Sequence, residues 1–294
     1  MSKNDFRNTT VLEQPNKLAR ELGRICYAAG EAIMRIYVRP ELWAASEKQD
    51  ASPVTAADLA ANRVICNGLA QLMPRLPVLT EEEAETAWSA RRQWARYWLV
   101  DPLDGTKEFL ARNGEFSVNI ALIEHGQPVF GMVHLPVSGV TYYGSRYYGS
   151  FLQPREGEAR KLQTRSLSWP KMDVVASHRH GSEKLQPIIE ALQLAGAEVN
   201  HIPLGSSLKL CKIAEGAADF YPRLGPTSEW DTAAAQAVVE GAGGRVLDWS
   251  FRSLIYNQKP SIINPEFMVI GDLNHPWHEW LEPFVTKKLS ESSL

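Results

Sequence analysis

Trp98-Leu99-Val100-Asp101-Pro102-Leu103-Asp104-Gly105-Thr106-Lys107-Glu108-Phe109 is the stretch from which the rest of this chain can be read. It opens as an apolar strand and then sets two carboxylates three residues apart around a turn. Asp-Pro and Asp-Gly are ordinary turn signals, so a loop accounts for part of the pattern. Two carboxylates at that spacing also build a site for a hard cation such as Mg²⁺, which wants oxygen ligands. Pro102 would fix the backbone so that the Leu103 carbonyl joins the carboxylates. Gly105 permits close backbone approach, and amides at a helix start near Thr106 can meet a phosphate. Metal, phosphate and turn chemistry thus fall in one segment.

Three more acidic clusters sit at the ends of predicted elements. Ser52-Pro53-Val54-Thr55-Ala56-Ala57-Asp58 reads by itself as an N-cap at Thr55 with Asp58 in the first helical turn, where the dipole favours it. Leu79-Thr80-Glu81-Glu82-Glu83 reads by itself as a solvated turn after a short strand. Its functional reading aims one carboxylate into a crevice. Ser228-Glu229-Trp230-Asp231-Thr232-Ala233-Ala234-Ala235 opens a small-residue helix ending in Gly241-Ala242-Gly243-Gly244, with Asp231 as a plain N-cap by default. A lone turn carboxylate is usually structural. Four clusters at element ends, one of them from the other half of the chain, are what a two-metal phosphoryl-transfer site needs, with bridging carboxylates holding ions roughly 4 Å apart.

The surrounding pattern predicts a layered protein. Leu18, Leu22, Ile25, Ala29, Ile33 and Ile36 recur at helical spacing, and a second helix is expected from Ala56 to Leu72. Short strands follow at Pro77–Thr80 and Tyr97–Asp101. From Phe116 to Leu152 an antiparallel meander is expected, with turns at His125-Gly126, Ser138-Gly139 and Tyr143-Gly144. After a polar stretch, Gln153–Arg165, strands and helices alternate: Asp173–Ser177, Ser182–Leu194, Glu198–Ile202, Ser206–Glu215, Ala218–Pro222, Asp231–Ala242 and Arg245–Asp248. That rhythm favours an α/β half, so the chain divides into an α+β half over residues 1–165 and an α/β half over 166–294.

Composition limits the partners. The 294 residues are 44% hydrophobic and carry a net charge of −3, against the basic surplus of a nucleic-acid binder. A polyanionic ligand would have to be held by local basic groups or by metal ions. Cys26, Cys66 and Cys211 are odd in number and widely spaced, which fits a reducing cytoplasm better than a disulfide framework. Nothing near the start reads as a signal peptide, and no run approaches the ~20 apolar residues of a membrane span.

The quoted segments resemble the inositol-monophosphatase-like, lithium-sensitive phosphatase superfamily, and within it the CysQ-type 3′(2′),5′-bisphosphate nucleotidases. The resemblance runs from about Leu18 to Asp248. Its strongest motif is the opening segment, whose Thr106-Lys107-Glu108-Phe109 ending favours the nucleotidase branch. Trp230-Asp231-Thr232-Ala233-Ala234 and Gly205-Ser206-Ser207-Leu208-Lys209 support it. The resemblance implies five alternating α and β layers, an αβαβα sandwich of the sugar-phosphatase type. It implies two or more Mg²⁺ ions, one on Glu81, Asp101 and the Leu103 carbonyl, another on Asp101, Asp104 and Asp231. Asp58 and Thr106 would orient and deprotonate the attacking water. Glu81, Leu103, Asp104, Gly105, Thr106 and Asp231 would border the substrate. His180, Ser206, Lys209 and Arg223 would hold its second phosphate, although Ser177-His178-Arg179-His180 departs from the Ser-Arg-Ser-His run of close relatives. The implied substrate is 3′-phosphoadenosine 5′-phosphate.

Three rivals remain open at this point. A haloacid-dehalogenase-type phosphatase uses Asp-x-Asp-Gly-Thr, whereas here two residues separate Asp101 from Asp104. An inositol or sugar phosphatase would use the same metal core. A non-catalytic metal or nucleotide sensor is disfavoured by the presence of both Asp58 and Thr106.

Overall fold

The computed structural model describes residues 15–43, 46–47, 53–72, 74–83, 86–177 and 182–291. Helix α1 (Pro15–Tyr37) buries Leu18, Leu22, Cys26, Ala29, Ile33 and Tyr37 along one stripe, at the steps that keep side chains on one helix face. Ile25 and Ile36 flank that stripe half-buried. A short ribbon, β1 (Ser46–Glu47) with β2 (Pro53–Val54), leads into α2 (Ala56–Leu69), which stops three residues before Leu72. The two helices pack on each other and on one face of a large sheet.

That sheet runs β3 (Val78–Thr80), β4 (Arg96–Asp104), β5 (Ser117–Glu124), β6 (Gln127–Leu135), β7 (Val140–Ser145), β8 (Gly149–Gln153), β9 (Arg160–Leu162) in spatial order. Short helices α3 (Trp88–Arg91) and α4 (Thr106–Leu110) flank β4 in sequence. The β3–β4 pair is parallel; from β4 onward the sheet is the expected antiparallel meander. Two expectations fail here. Tyr143-Gly144 lies inside β7, not in a turn, because Gly144 sits where a Cβ would come within 2.0 Å of Ser150 Oγ on the neighbouring strand. And β9 falls in the polar stretch taken as a break, since only its Leu162 is buried and no alternation marks it.

The second half forms a five-stranded sheet in the order β11 (Glu198–Pro203), β10 (Lys171–Ala176), β12 (Phe220–Arg223), β14 (Phe267–Ile270), β13 (Arg245–Asp248). Helices α5 (Ser182–Leu194) and α8 (Trp277–Glu291) share a core with its outer face. Helices α6 (Leu208–Ala214) and α7 (Glu229–Gly241) share a core with its inner face and with the large sheet. Strand alternation builds the layers: Trp98 and Val100 of β4 join α1 and α2, while Tyr97 and Leu99 join α7. The result is the five-layer αβαβα sandwich. Strand β14 and helix α8 were not anticipated from the sequence. No helix among the described residues is long and apolar enough to cross a membrane.

Candidate active site

Strands β3 and β4 are paired with Thr80 opposite Val100, so Glu81 and Asp101 emerge next to each other. Further along β4, Asp101 faces Asn119 and Asp104 faces Ser117. Pro102 and Leu103 therefore share the space opposite Val118, a bulge that turns the strand's end. The Leu103 side chain is anchored in the core, and its N–H donates to Asp101 Oδ1 at 3.0 Å. Gly105 caps α4 at φ 96°, a left-handed conformation that suits glycine. Thr106 follows, and its hydroxyl donates to Asp58 Oδ1 at 3.3 Å.

Asp58 arrives from the first turn of α2. Its Oδ2 accepts from the Thr55 N–H at 2.8 Å and the Thr55 hydroxyl at 2.6 Å, while Thr55 Oγ1 accepts from Ala57 N. The capping reading of this segment therefore holds, and it leaves the second oxygen turned to Thr106. Burial raises the Asp58 pKa, opposed by the Thr55 bonds.

The second half contributes Asp231 and a loop. Asp231 is not the N-cap of α7: Ser228 is, and Asp231 Oδ2 accepts from the Ser228 N–H at 2.8 Å as the third helical residue of a capping box. Ser206 does not begin a helix either. It stands at φ 43°, and α6 starts at Leu208. Ser207 points at the first half instead, with its N–H 2.5 Å and its hydroxyl 2.7 Å from Asp104 Oδ2. Lys209 is buried, not a solvated surface charge. Its ammonium donates to the Ser206 carbonyl at 2.7 Å, and burial lowers its pKa to about 8. Arg223 donates to the carbonyls of Gly225 and Pro226. His180 lies outside the described residues.

A cavity of about 490 Å³ opens over these groups. Glu81, Asp104, Gly105 and Thr106 line it from one side; Ser206, Lys209, Arg223 and Asp231 line it from the other. Asp58 and Asp101 lie beneath, each 1% exposed. Burial pushes Asp101 well above the usual carboxylate range, and the charges of Glu81, Asp104 and Asp231 push the same way. Asp231 is raised likewise, by burial first and then by Asp104 and Glu81. Among the described residues no Lys, Arg or His side chain pairs with Asp101, Asp104 or Asp231, and no three acidic, imidazole or thiol groups are drawn tightly enough together to hold an ion as they stand. Asp101, Asp104 and Asp231 each spend one oxygen on a protein N–H. Buried Asp101 with half-buried Glu81, Asp104 and Asp231 is an all-oxygen donor set short of positive charge, which suits a hard divalent cation.

The sequence did not single out Ser207 or Asn119. Asn119 Nδ2 donates to Ser207 Oγ at 2.9 Å and reaches Asp104 Oδ2 at 3.5 Å. A signal existed for it: Asn119 is the one amide in the apolar run Val118-Asn119-Ile120-Ala121-Leu122-Ile123. Ser207 had none apart from its neighbour Ser206.

Comparison with known proteins identifies the family and the fold. The inositol monophosphatase family model matches residues 16–282. The 3′(2′),5′-bisphosphate nucleotidase CysQ of Salmonella typhimurium is 47% identical over 259 residues, covering 88% of this chain and 99% of that protein. Its Escherichia coli K12 counterpart is 45% identical over the same length and coverage. Among solved structures, CysQ from Bacteroides thetaiotaomicron, described as a bacterial member of the inositol monophosphatase family, matches with a TM-score of 0.75 at 35% identity, over 86% of this chain and 97% of that one. An IMPase of Thermotoga maritima, 22% identical with a TM-score of 0.71 over 94% and 97% of the two chains, shares the fold.

Proposed function

The chain belongs to the inositol monophosphatase family of metal-dependent phosphatases, and we propose that it is a Mg²⁺-dependent 3′(2′),5′-bisphosphate nucleotidase that converts 3′-phosphoadenosine 5′-phosphate to AMP and phosphate. The relatives at 45–47% identity are named 3′(2′),5′-bisphosphate nucleotidases. One juxtaposition supports the reading: a buried carboxylate set, with a hydroxyl–carboxylate pair beside it, shares a cavity with Lys209 and Arg223.

Two ions would be held by Glu81, Asp101 and the Leu103 carbonyl, and by Asp101, Asp104 and Asp231. Bound there, they would supply Lewis acidity toward the phosphoryl oxygens and the attacking water. The chain's own residues do the rest. The Thr106 hydroxyl donates to Asp58 Oδ1, so its lone pairs are turned away from that bond and can accept from a water. As the water oxygen bonds to phosphorus, its proton passes to Thr106 Oγ1 and the Thr106 proton passes to Asp58. Asp58 stays oriented because its other oxygen remains on Thr55. The bond from phosphorus to the 3′-oxygen breaks in line, and that oxygen takes up a proton from solvent in the open cavity. Gly105 would let the reacting phosphate approach the backbone, and Ser206, Lys209 and Arg223 would hold the 5′-phosphate, the role the sequence also suggests for His180. No covalent phospho-enzyme is needed.

We read the protein as cytoplasmic, since Cys26, Cys66 and Cys211 are free. The deciding assay is phosphate release from 3′-phosphoadenosine 5′-phosphate, with and without Mg²⁺, beside inositol 1-phosphate and fructose 1,6-bisphosphate. Metal-dependent turnover of the nucleotide in preference to both esters is expected. Preference for an inositol or sugar ester would discard the substrate and keep the site; Mg²⁺-dependent binding of the nucleotide without turnover would leave a sensor.

A further inference from the structure

Asp104 Oδ2 takes its two shortest hydrogen bonds from Ser207, in the other half of the chain, beside longer ones from Ser117 and Asn119, and the loop that carries Ser207 is held from both sides. Ser206 sits at φ 43°, a left-handed geometry that is unfavourable for a non-glycine residue. That strain persists only where the surroundings fix it. On one side Glu115, in the segment between α4 and β5, accepts from the Gly205 N–H through Oε2 at 2.7 Å. On the other side the Lys209 ammonium donates to the Ser206 carbonyl at 2.7 Å. The fit leaves no room, since a Cβ on Gly205 would come within 2.8 Å of Glu108 Cγ and 3.0 Å of Glu115 Oε2. The peptide between Ser206 and Ser207 is thereby turned so that its N–H meets Asp104 Oδ2 at 2.5 Å.

We propose that Glu115 is a positioning residue, a latch that crosses from the first half to the Gly205–Ser207 loop and through it sets the Asp104 carboxylate for metal binding. The role rests on the metal reading of the site proposed above. A direct substrate role suits Glu115 poorly, because a carboxylate beside a site for a doubly phosphorylated ligand repels it. A hydrogen bond from a backbone N–H to a charged acceptor is a strong one, and partners that orient a metal ligand typically change metal affinity 10- to 100-fold when removed.

The test uses the full chain and two readouts. Free Mn²⁺ is titrated by electron paramagnetic resonance, and amide hydrogen exchange of Gly205–Ser207 is followed in metal-free protein. Glu115→Ala should weaken Mn²⁺ binding about tenfold and lose exchange protection in the loop. Glu115→Gln, which keeps an acceptor and removes the charge, should stay within about threefold of wild type. Combining Glu115→Ala with Gly205→Ala should be no worse than Gly205→Ala alone, because both act on the one Glu115–Gly205 contact. Gly205→Ala, which leaves Glu115 in place but crowds it, should mimic Glu115→Ala and serves if that variant folds poorly. Additive losses, equal effects of the Ala and Gln variants at Glu115, or an unchanged loop in Glu115→Ala would each overturn the latch. Wild-type protein that binds no Mn²⁺ would refute the metal reading instead, and the exchange comparison would then decide the latch by itself.

Discussion

Asp58 divides its two carboxylate oxygens between a helix cap and a hydroxyl 3.3 Å away, and that division makes its chemistry testable one residue at a time. Removing the hydroxyl by Thr106→Ala leaves the cap intact, so α2 and the stability of the protein should be unaffected. The relay for the water's proton is lost, and kcat should fall by about 10²-fold or more with Mg²⁺ affinity largely kept. Rapid-quench turnover beside calorimetric metal titration separates the two; an unchanged kcat would remove Thr106 from the mechanism. Asp101 answers differently. Its charge is buried against Glu81, Asp104 and Asp231, so metal-free protein is destabilised by the very groups that make the site. Asp101→Asn should abolish turnover yet raise the melting temperature of the metal-free protein, by roughly 2–4 °C, because a neutral amide relieves the repulsion and can donate to Glu81. A lower melting temperature would mean that the cluster is not strained. The candidate carboxylates were legible because each lies at or close to one end of a recognisable element. Ser207 and Asn119 were not, since a serine in a loop and an amide in a strand acquire their role only when the Asp104 carboxylate is brought to them.

Helix α7 is the element that binds the two halves, and its sequence explains how. Ala233, Ala234, Ala235 and Ala237 are buried between the sheets, and small side chains let the helix backbone settle onto β6. The contact is close enough that a Cβ on Gly131 would lie 2.0 Å from the Ala234 carbonyl oxygen. Gly131→Ala must therefore push α7 off the sheet. A loss of about 1–3 kcal/mol in denaturant unfolding is expected from such overpacking, together with a fall in kcat, because Asp231 rides on the first turn of the moved helix and small misplacements of catalytic groups are expensive. Stability lost with kcat unchanged would show that Asp231 is held by its Ser228 partner regardless of the helix. The start of α2 was readable because capping chemistry marks it at Thr55, whereas α7 was expected from Asp231 and starts two residues earlier, capped by Ser228. Boundaries were misread where tertiary contact overrides the local signal: Gly144 looked like a turn but serves a tight cross-strand contact with Ser150, and Ser206 looked like a helix start but is held out of the helical region by Glu115 and Lys209.

At the scale of the whole molecule, the layer order was implied by the family resemblance, with which the run of strands and alternating elements agreed, while β14 and α8 carried no signal that was read. Burial between the layers leaves a titration signature. His134 of β6 is 2% exposed beneath α1, where a Cβ on Gly30 would meet its Nε2 at 2.7 Å, and its Nδ1 pairs with the Thr141 hydroxyl at 2.9 Å. Burial lowers its pKa to about 4, against about 6.5 for an unfolded histidine. Above pH 6.5 the ring is neutral in both states and contributes nothing to the pH dependence. Between pH 6.5 and 4 the unfolded chain takes up a proton that the folded one refuses, so stability falls as pH falls, by roughly 3 kcal/mol over the window. Glu229 works in the opposite sense. Its pKa is raised to about 7 by burial, so the folded state gains a proton first and stability rises on acidification through nearly the same range. The two terms oppose each other in the wild-type curve, and the informative quantity is a difference between proteins. Subtracting the unfolding free energy of His134→Gln from that of wild type, measured in urea at pH 7 and pH 4.5, cancels Glu229 and the other carboxylates. The difference should move against wild type by about 2–3 kcal/mol on acidification; a difference independent of pH would mean that His134 is protonated in the folded protein and that α1 does not seal it.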